Sequence, residues 1–328
     1  MDGNQCSDDA SLLWRGRDLR QEDERLGILE MESRVERIKA RIRAVGGWYF
    51  PKFASNYLFR ERFGRNIDFK HPKYLDDKLM CLKFGLYKEN QQIADLADKI
   101  RVRDYVKECG LSDILVPEIS EYGSAYEIIW EELPNQFVLK CNHGCGYNII
   151  VDDKHKFEEE KVKAKLDRWM REKYGGFTAE IHYRKIKPGI LCETFIKGLG
   201  SFGNLPVDYK FFCIHGKVEC ILVVAGRSGG QNENLLQRFF VDREFKLLDI
   251  CREKMRDGFD YEALKPSCLK EMTEAAEKLS EPFPFVRVDL YNSDGKVLFG
   301  EMTFTPMGCV NGYITDEGEQ WLGDKLTI

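Results

Sequence analysis

Two acidic residues set inside otherwise apolar strands restrict this chain more than any other feature. The run Phe285-Val286-Arg287-Val288-Asp289-Leu290-Tyr291 is followed by Asn292-Ser293-Asp294-Gly295 and then by a second strand-like run from Lys296 to Thr303. The pattern predicts an antiparallel hairpin, which brings Asp289 and Glu301 close on one face. Two carboxylates in a partly buried site repel each other unless a cation lies between them. Oxygen ligands on adjacent strands suit Mg²⁺, which keeps several waters and bridges to substrate phosphates. Arg287, two residues before Asp289, points to the same face. It can hold a phosphate, or an oxyanion formed during acyl transfer. The competing readings are two edge carboxylates facing solvent and a plain salt bridge from Arg287 to one of them.

The body of the chain reads as mixed α and β. A helical pattern runs from Asp95 to Cys109, with Gly110 to stop it. Phe137 to Cys141 reads as a buried strand ending near Lys140, whose ammonium is costly to bury without an anionic partner. The loop Asn142-His143-Gly144-Cys145-Gly146 follows, and its glycines would let backbone N–H groups approach a polyphosphate. Next come a strand at 148–151, a charged helix over 156–173 and a strand at 190–196. Asp208 to Val224 predicts two strands joined at His215-Gly216, and a helix spans about 266–280. Because the hairpins are antiparallel, the class is α+β. Lys99 reads as a surface lysine in its helix.

Charge is unevenly spread. Residues 34–73 carry eleven basic side chains (Arg34, Arg37, Lys39, Arg41, Arg43, Lys52, Arg60, Arg62, Arg65, Lys70, Lys73) against Glu36, Glu61 and Asp68, although the whole chain has a net charge of −5. That overall balance argues against a nucleic-acid binder. Eight aromatics lie within the basic window: Trp48, Tyr49, Phe50, Phe53, Tyr57, Phe59, Phe63 and Phe69. Such a surface suits an anionic polymer or an anionic membrane face; alternatively the aromatics pack inward and the charges are simply solvated. Upstream, Ile28, Met31, Val35, Ile38, Ile42 and Val45 alternate spacings of three and four, a helical stripe that Gly46-Gly47 is expected to end. Residues 1–25 are polar and irregular. No apolar run reaches transmembrane length, no secretory signal opens the chain, and the 11 cysteines are odd in number and mostly set in apolar runs, as for reduced thiols. The expected location is cytoplasmic.

In order, these pieces resemble the ATP-grasp fold, specifically the ATP-grasp proteins of the teichuronopeptide-biosynthesis (TupA-like) type. The resemblance is carried by PKYLDDKLMCLKF (72–84), ADKIRVRDYV (97–106), LPNQFVLKCNHGCGYNIIV (133–151), ILCETFI (190–196), DYKFFCIHGKV (208–218) and FPFVRVDLYNSDGKVLFGEMTFTP (283–306). It implies two α+β subdomains clasping ATP, with a helical N-terminal arm. The implied divisions are 1–46 (polar N-terminus and amphipathic helix), 47–93 (basic, aromatic segment) and 94–328 (ATP-grasp domain). Within the last, a small subdomain covers about 137–196 and a metal-binding subdomain about 200–328. Lys99 and Lys140 match the two ATP lysines, and Asn142 to Gly146, including His143, Gly144 and Gly146, match the flap over the phosphates. Glu193, Phe195 and Ile196 match the adenine hinge, and Asp208 the acid that holds the ribose. Lys210 lies where it could reach the transferring phosphate. Asp289 and Glu301 match the metal pair, and Arg287 the arginine that stabilises the tetrahedral intermediate. Thr303 stands where many relatives carry a third ligand, Asn, which puts a second metal ion in doubt.

The implied activity is ATP-dependent carboxylate–amine ligation through an acyl phosphate, with ATP and Mg²⁺ as cofactors. The implied acceptor is a small molecule or cell-surface glycan bearing a carboxylate, joined to an amine donor. Peripheral membrane association through 34–73 is compatible with this, as is a place at the inner membrane face. A kinase acting on a sugar hydroxyl, or a non-catalytic protein of the same fold, are the alternatives.

Overall fold

The computed structural model describes residues 42–198, 205–227 and 236–328. The polar N-terminus and the stripe positions Ile28 to Ile38 lie outside the described residues. Residues 42–49 are helical and run straight through Gly46-Gly47. These glycines therefore do not end the helix. Gly47 permits a close approach instead: a Cβ there would lie 1.7 Å from the Gly176 carbonyl oxygen, and one on Gly176 would lie 2.3 Å from Trp48 Nε1.

Four helices lead into the body: α1 (Pro51–Phe63), α2 (Leu75–Phe84), α3 (Gln91–Ala97) and α4 (Val102–Glu108). Pro51 opens α1, and Gly64 closes it with φ of 68°. The single helix expected from Asp95 to Cys109 is two helices broken at Asp98. The Asp98 carboxylate accepts from the N–H groups of Ile100 (2.8 Å) and Arg101 (3.3 Å), which holds the turn ahead of the second helix and leaves Lys99 in that turn.

A four-stranded antiparallel sheet follows: β1 (Glu118–Tyr122), β2 (Phe137–Cys141), β3 (Asn148–Val151) and β4 (Ile190–Thr194), in the order β1-β4-β2-β3. It therefore draws on a strand well upstream of Phe137. Helix α5 (Glu159–Arg171) buries Val162, Leu166 and Trp169 in a core with Phe137, Leu139 and Cys192.

The larger sheet contains β5 (Asp208–Ile214), β6 (Lys217–Ala225), β7 (Gln237–Val241), β8 (Leu247–Leu248), β9 (Phe285–Ser293) and β10 (Lys296–Thr303). Its order is β10-β9-β5-β6-β7-β8, with every neighbour antiparallel. Both hairpin turns use two positive-φ residues, His215-Gly216 and Asp294-Gly295, as tight hairpins require. Helix α6 (Leu269–Ser280) packs on β9, β5 and β6. Tyr209 and Cys213 of β5 face that side, hydrogen-bonding to Leu264 and Ala276 carbonyls. The alternate residues of β5, Asp208 and Lys210, face the opposite side. Every cysteine among the described residues is free. No helix among them is long and apolar enough to cross a membrane.

Helix α7 (Asp316–Lys325) closes the chain against α2 through a buried acidic contact. The Asp76 N–H donates to Glu319 Oε2 (2.9 Å), and the Asn311 N–H donates to Asp76 Oδ2 (2.6 Å). Burial pushes Asp76 up to about 7, with the Asp77 charge adding to the shift, and pushes Glu319 well above its usual range, with the Asp76 and Asp77 charges adding to it. Asp76 thus keeps a proton in the folded protein that the unfolded chain releases near pH 3.8. The folded state loses stability as pH rises from about 4 to about 7 and does not regain it above. Asp76→Asn retains an acceptor for Asn311 without a charge. It is expected to be more stable than wild type by about 1–2 kcal/mol at pH 8, with the gap closing below pH ~4. Urea unfolding at both pH values checks this.

Candidate active site

The strand register sets one charged row across three strands. Lys210 of β5 pairs with Asp289 of β9, which pairs in turn with Glu301 of β10. In the next row Arg287 pairs with Thr303. A bulge between Phe299 and Glu301 brings Glu301 opposite Asp289. Gly300 makes the bulge possible, since a Cβ on it would lie 2.9 Å from the Asp289 carbonyl oxygen. Gly300→Ala should push the two strands apart locally. We expect it to cost about 1–3 kcal/mol of stability, which a thermal melt of the variant checks.

Asp289 is buried between two cations. Lys210 Nζ donates to its Oδ2 (2.7 Å), while Arg287 donates from Nε to Oδ1 (2.7 Å) and from Nη2 to Oδ2 (2.8 Å). Burial alone would raise the Asp289 carboxyl, but Arg287 and Lys210 outweigh it and hold the group below its usual value. Arg287 Nη2 also donates to Thr303 Oγ1 (3.2 Å) and lies 3.6 Å from Glu301 Oε1. Thr303 Oγ1 donates to Glu301 Oε1 (3.3 Å). Asp208, buried at the start of β5, is ion-paired with Arg227, and its Oδ2 lies 3.9 Å from Lys210 Nζ.

Lys99 closes the opposite side. Its Nζ donates to the Gly144 carbonyl (2.6 Å) and lies 3.9 Å from Glu301 Oε2. It is therefore no surface lysine: the break at Asp98 turns it inward. The root of the predicted flap is fixed by Asn142, whose Nδ2 donates to Asp98 Oδ2 (2.9 Å) and whose Oδ1 accepts from the Gly189 N–H (2.7 Å). His143 does not lie on the flap surface. It is buried against the Tyr147 ring, with Nε2 3.0 Å from the Trp169 carbonyl oxygen, and burial lowers its pKa. Gly144 and Gly146 also have local reasons to be glycine. A Cβ on Gly144 would meet the Tyr147 and Tyr174 rings at 2.8 Å, and Gly146 has φ of 74°.

At the other end, Lys140 Nζ lies 2.5 Å from Glu193 Oε2, and Arg103 Nη1 donates to Glu193 Oε1 (2.9 Å). Arg103 also donates to the Val116 carbonyl (3.1 Å) and pairs with Glu118. Phe195 and Ile196 follow β4 and are half-buried. Arg103 and Arg227 are absent from the sequence reading. Arg227 carried a usable signal, a basic residue just past an apolar strand like Lys140; Arg103, in a charged helical stretch, carried none.

Among the described residues no group of three His, Cys, Asp or Glu is arranged to hold a metal by itself. The donor set here is two adjacent carboxylates and a hydroxyl, and that fits an ion completing its shell with water and phosphate oxygens. A site of that kind needs few protein ligands.

Two antiparallel sheets, one bearing Lys140 and Glu193 and the other the Lys210–Asp289–Glu301 row, with Lys99 and the 142–146 loop joining them, define the ATP-grasp fold. The family model for TupA-like ATP-grasp proteins matches residues 77–327, and the chain belongs to that family. No curated protein matches the sequence. Among solved structures, the L-amino acid ligase from Bacillus licheniformis is 15% identical, with a TM-score of 0.42, covering 78% of this chain and 55% of that one. A D-alanine–D-alanine ligase from Bacillus anthracis is 17% identical, with a TM-score of 0.41, covering 70% of this chain and 64% of that one. The D-alanine–D-alanine ligase from Helicobacter pylori is 14% identical, with a TM-score of 0.38, covering 77% of this chain and 69% of that one. This chain thus spans between about half and about two thirds of those chains.

Proposed function

We propose that the protein is an ATP-dependent carboxylate–amine ligase that works through an acyl phosphate. The observation that carries this reading is the row Lys210–Asp289–Glu301, with Arg287 bound to both Asp289 and Thr303 and Lys99 facing Glu301. Such a site opposes cations and carboxylates at the one place where a phosphoryl group and a tetrahedral carbon must both be charge-stabilised.

In this reading Lys140 and Glu193 receive the adenine end of ATP, with Phe195 and Ile196 beside it, and Asp208 the ribose. Lys99, Lys210 and the 142–146 loop hold the phosphates. Asp289, Glu301 and Thr303 would hold Mg²⁺, which when bound neutralises the polyphosphate. A substrate carboxylate attacks the γ-phosphate, giving an acyl phosphate and ADP. Lys210 then has phosphate oxygens to bind in place of Asp289. An amine attacks the acyl carbon, Arg287 holds the oxyanion, and an amide and phosphate are released. Closure of the loop on Lys99 keeps water from the acyl phosphate.

We place this chemistry in residues 94–328, with a small subdomain over about 137–196 and a metal-binding one over about 200–328, preceded by 1–46 and 47–93. The acceptor we propose is a carboxylate-bearing sugar of a polyanionic polymer, modified in the cytoplasm at the inner face of the membrane. The test is ADP release over a panel of uronic acids and amino acids. ADP should require both an acid and an amine, and hydroxylamine should replace the amine and give a hydroxamate. ADP release with a hydroxyl acceptor alone would make the protein a kinase instead.

A further inference from the structure

The arm carries an apolar face that the body does not use. Within the helical residues 42–49, Ile42, Val45 and Tyr49 project to solvent, and in α1 Phe53 and Tyr57 follow at spacings of four. Tyr49 and Phe53 are 76% and 77% exposed, and Ile42 and Phe50 are 66% and 68% exposed. Tyr57 is touched by Arg43, whose guanidinium lies over its ring at 5.7 Å and over the Phe177 ring at 5.8 Å; the arm is otherwise held by its other face. Phe59 is buried against Phe63, and Ser55 Oγ accepts from the buried Lys83. Arg184 lies over the Trp48 ring at 4.0 Å, and Arg62 donates to the Gly312 carbonyl (2.8 Å). Two successive helices, separated at Phe50 (φ −128°, ψ 58°), are docked on one side and apolar on the other, which is unusual for a free surface and marks a contact site.

We infer that this face docks on an anionic lipid bilayer. Three observations select that occupant. Between residues 42 and 73 there are seven basic side chains and two acidic ones, Glu61 and Asp68, and Glu61 is already bound by Arg43. A second copy of the chain would therefore set Lys52 and Arg60 against like charges. The exposed side chains include Ile, Val and Phe, which offer no hydrogen bonds to the hydroxyls of a glycan but enter the acyl boundary of a membrane. Lastly, the sequence spacing Ile28, Met31, Val35, Ile38 leads in register into Ile42, Val45 and Tyr49, so the apolar stripe extends upstream in sequence. Aromatics on one face with Lys and Arg beside them suit the headgroup layer.

The inference is independent of the ligase reading and is tested without turnover. The full chain is pelleted with vesicles of phosphatidylcholine alone, or of phosphatidylcholine with phosphatidylserine. Binding should be at least about tenfold stronger to the anionic vesicles and should weaken as salt is raised. The triple variant Tyr49→Ser, Phe53→Ser, Tyr57→Ser should lose most of it, as should Lys52→Glu with Arg60→Glu. Both side chains are exposed, and Lys52 lies over the Phe69 ring at 5.4 Å, so a melt of this pair beside the wild type separates lost binding from lost folding. Equal binding to both vesicle types, or to neither, overturns the inference. So does a dimer that the triple variant converts to monomer without any vesicle binding, or retention on polygalacturonate in place of vesicles.

Discussion

Asp289→Asn is expected to reduce ADP formation by at least about 10³-fold. It should also destabilise the fold by about 3 kcal/mol, because two cations remain where one buried carboxylate had neutralised them. The size of the effect follows from the register. Lys210 and Arg287 reach Asp289 from the neighbouring strand and from two residues back on its own, and both of its oxygens are engaged. Asn keeps the shape but offers one acceptor, and its amide group turns a donor towards a guanidinium or an ammonium. Arg287 and Lys210 would then lose the group that aims them, along with one of the proposed ion ligands. Single-turnover ADP release in the presence of hydroxylamine, with a urea melt alongside, reads both consequences. Near-wild-type release with the predicted loss of stability would show that Asp289 serves packing and not chemistry.

The sequence made some parts of this site plain and hid others, for separate physical reasons. The hairpin at 285–303 was legible because a strand has a period of two, and a charge inside an apolar strand must face something. The same logic found Lys140; Arg227 lies two residues past the end of β6 and carries only a weaker form of that signal. The turns at His215-Gly216 and Asp294-Gly295 were legible because few residue pairs accept two positive φ angles. Three features were not. The break at Asp98 depends on a carboxylate choosing backbone N–H groups over continuing a helix, and the local sequence scores equally well as one long helix. The role of Gly46-Gly47 depends on a segment more than a hundred residues away, and without Gly176 in view two glycines read as a stop signal. The burial of His143 was not legible from its polar loop, because the groups that cover it are the Tyr147 ring just before β3 and, from α5, the Trp169 carbonyl, with Trp169 and Tyr174 packed on Tyr147.

Lys99→Met carries the second large effect, a fall in kcat/KM for ATP of about 10²- to 10³-fold. Sequence alone gave this residue no distinction beyond family resemblance, so its expected effect rests on where the structure puts it. Its ammonium bridges the Gly144 carbonyl and the neighbourhood of Glu301, linking the loop over the phosphates to the carboxylate row. Its backbone is tied to the same loop, with the Lys99 N–H donating to the Asn142 carbonyl (3.4 Å), while Asn142 is held by Asp98. Met retains the length and the packing of the stem but removes the charge and the donors. The Gly144 carbonyl loses its partner, and the triphosphate would lose an ammonium on the side opposite Lys210. Because the Lys99 side chain is only 10% exposed while the loop can reach water once freed, stability should fall by about 1–2 kcal/mol. The signature is therefore kinetic: a raised KM for ATP, a lowered kcat and an increased share of ATP hydrolysed without amide formation, as a looser loop admits water to the acyl phosphate. A variant whose ADP release and amide yield stayed matched at the wild-type ratio would show that loop closure does not depend on this bridge.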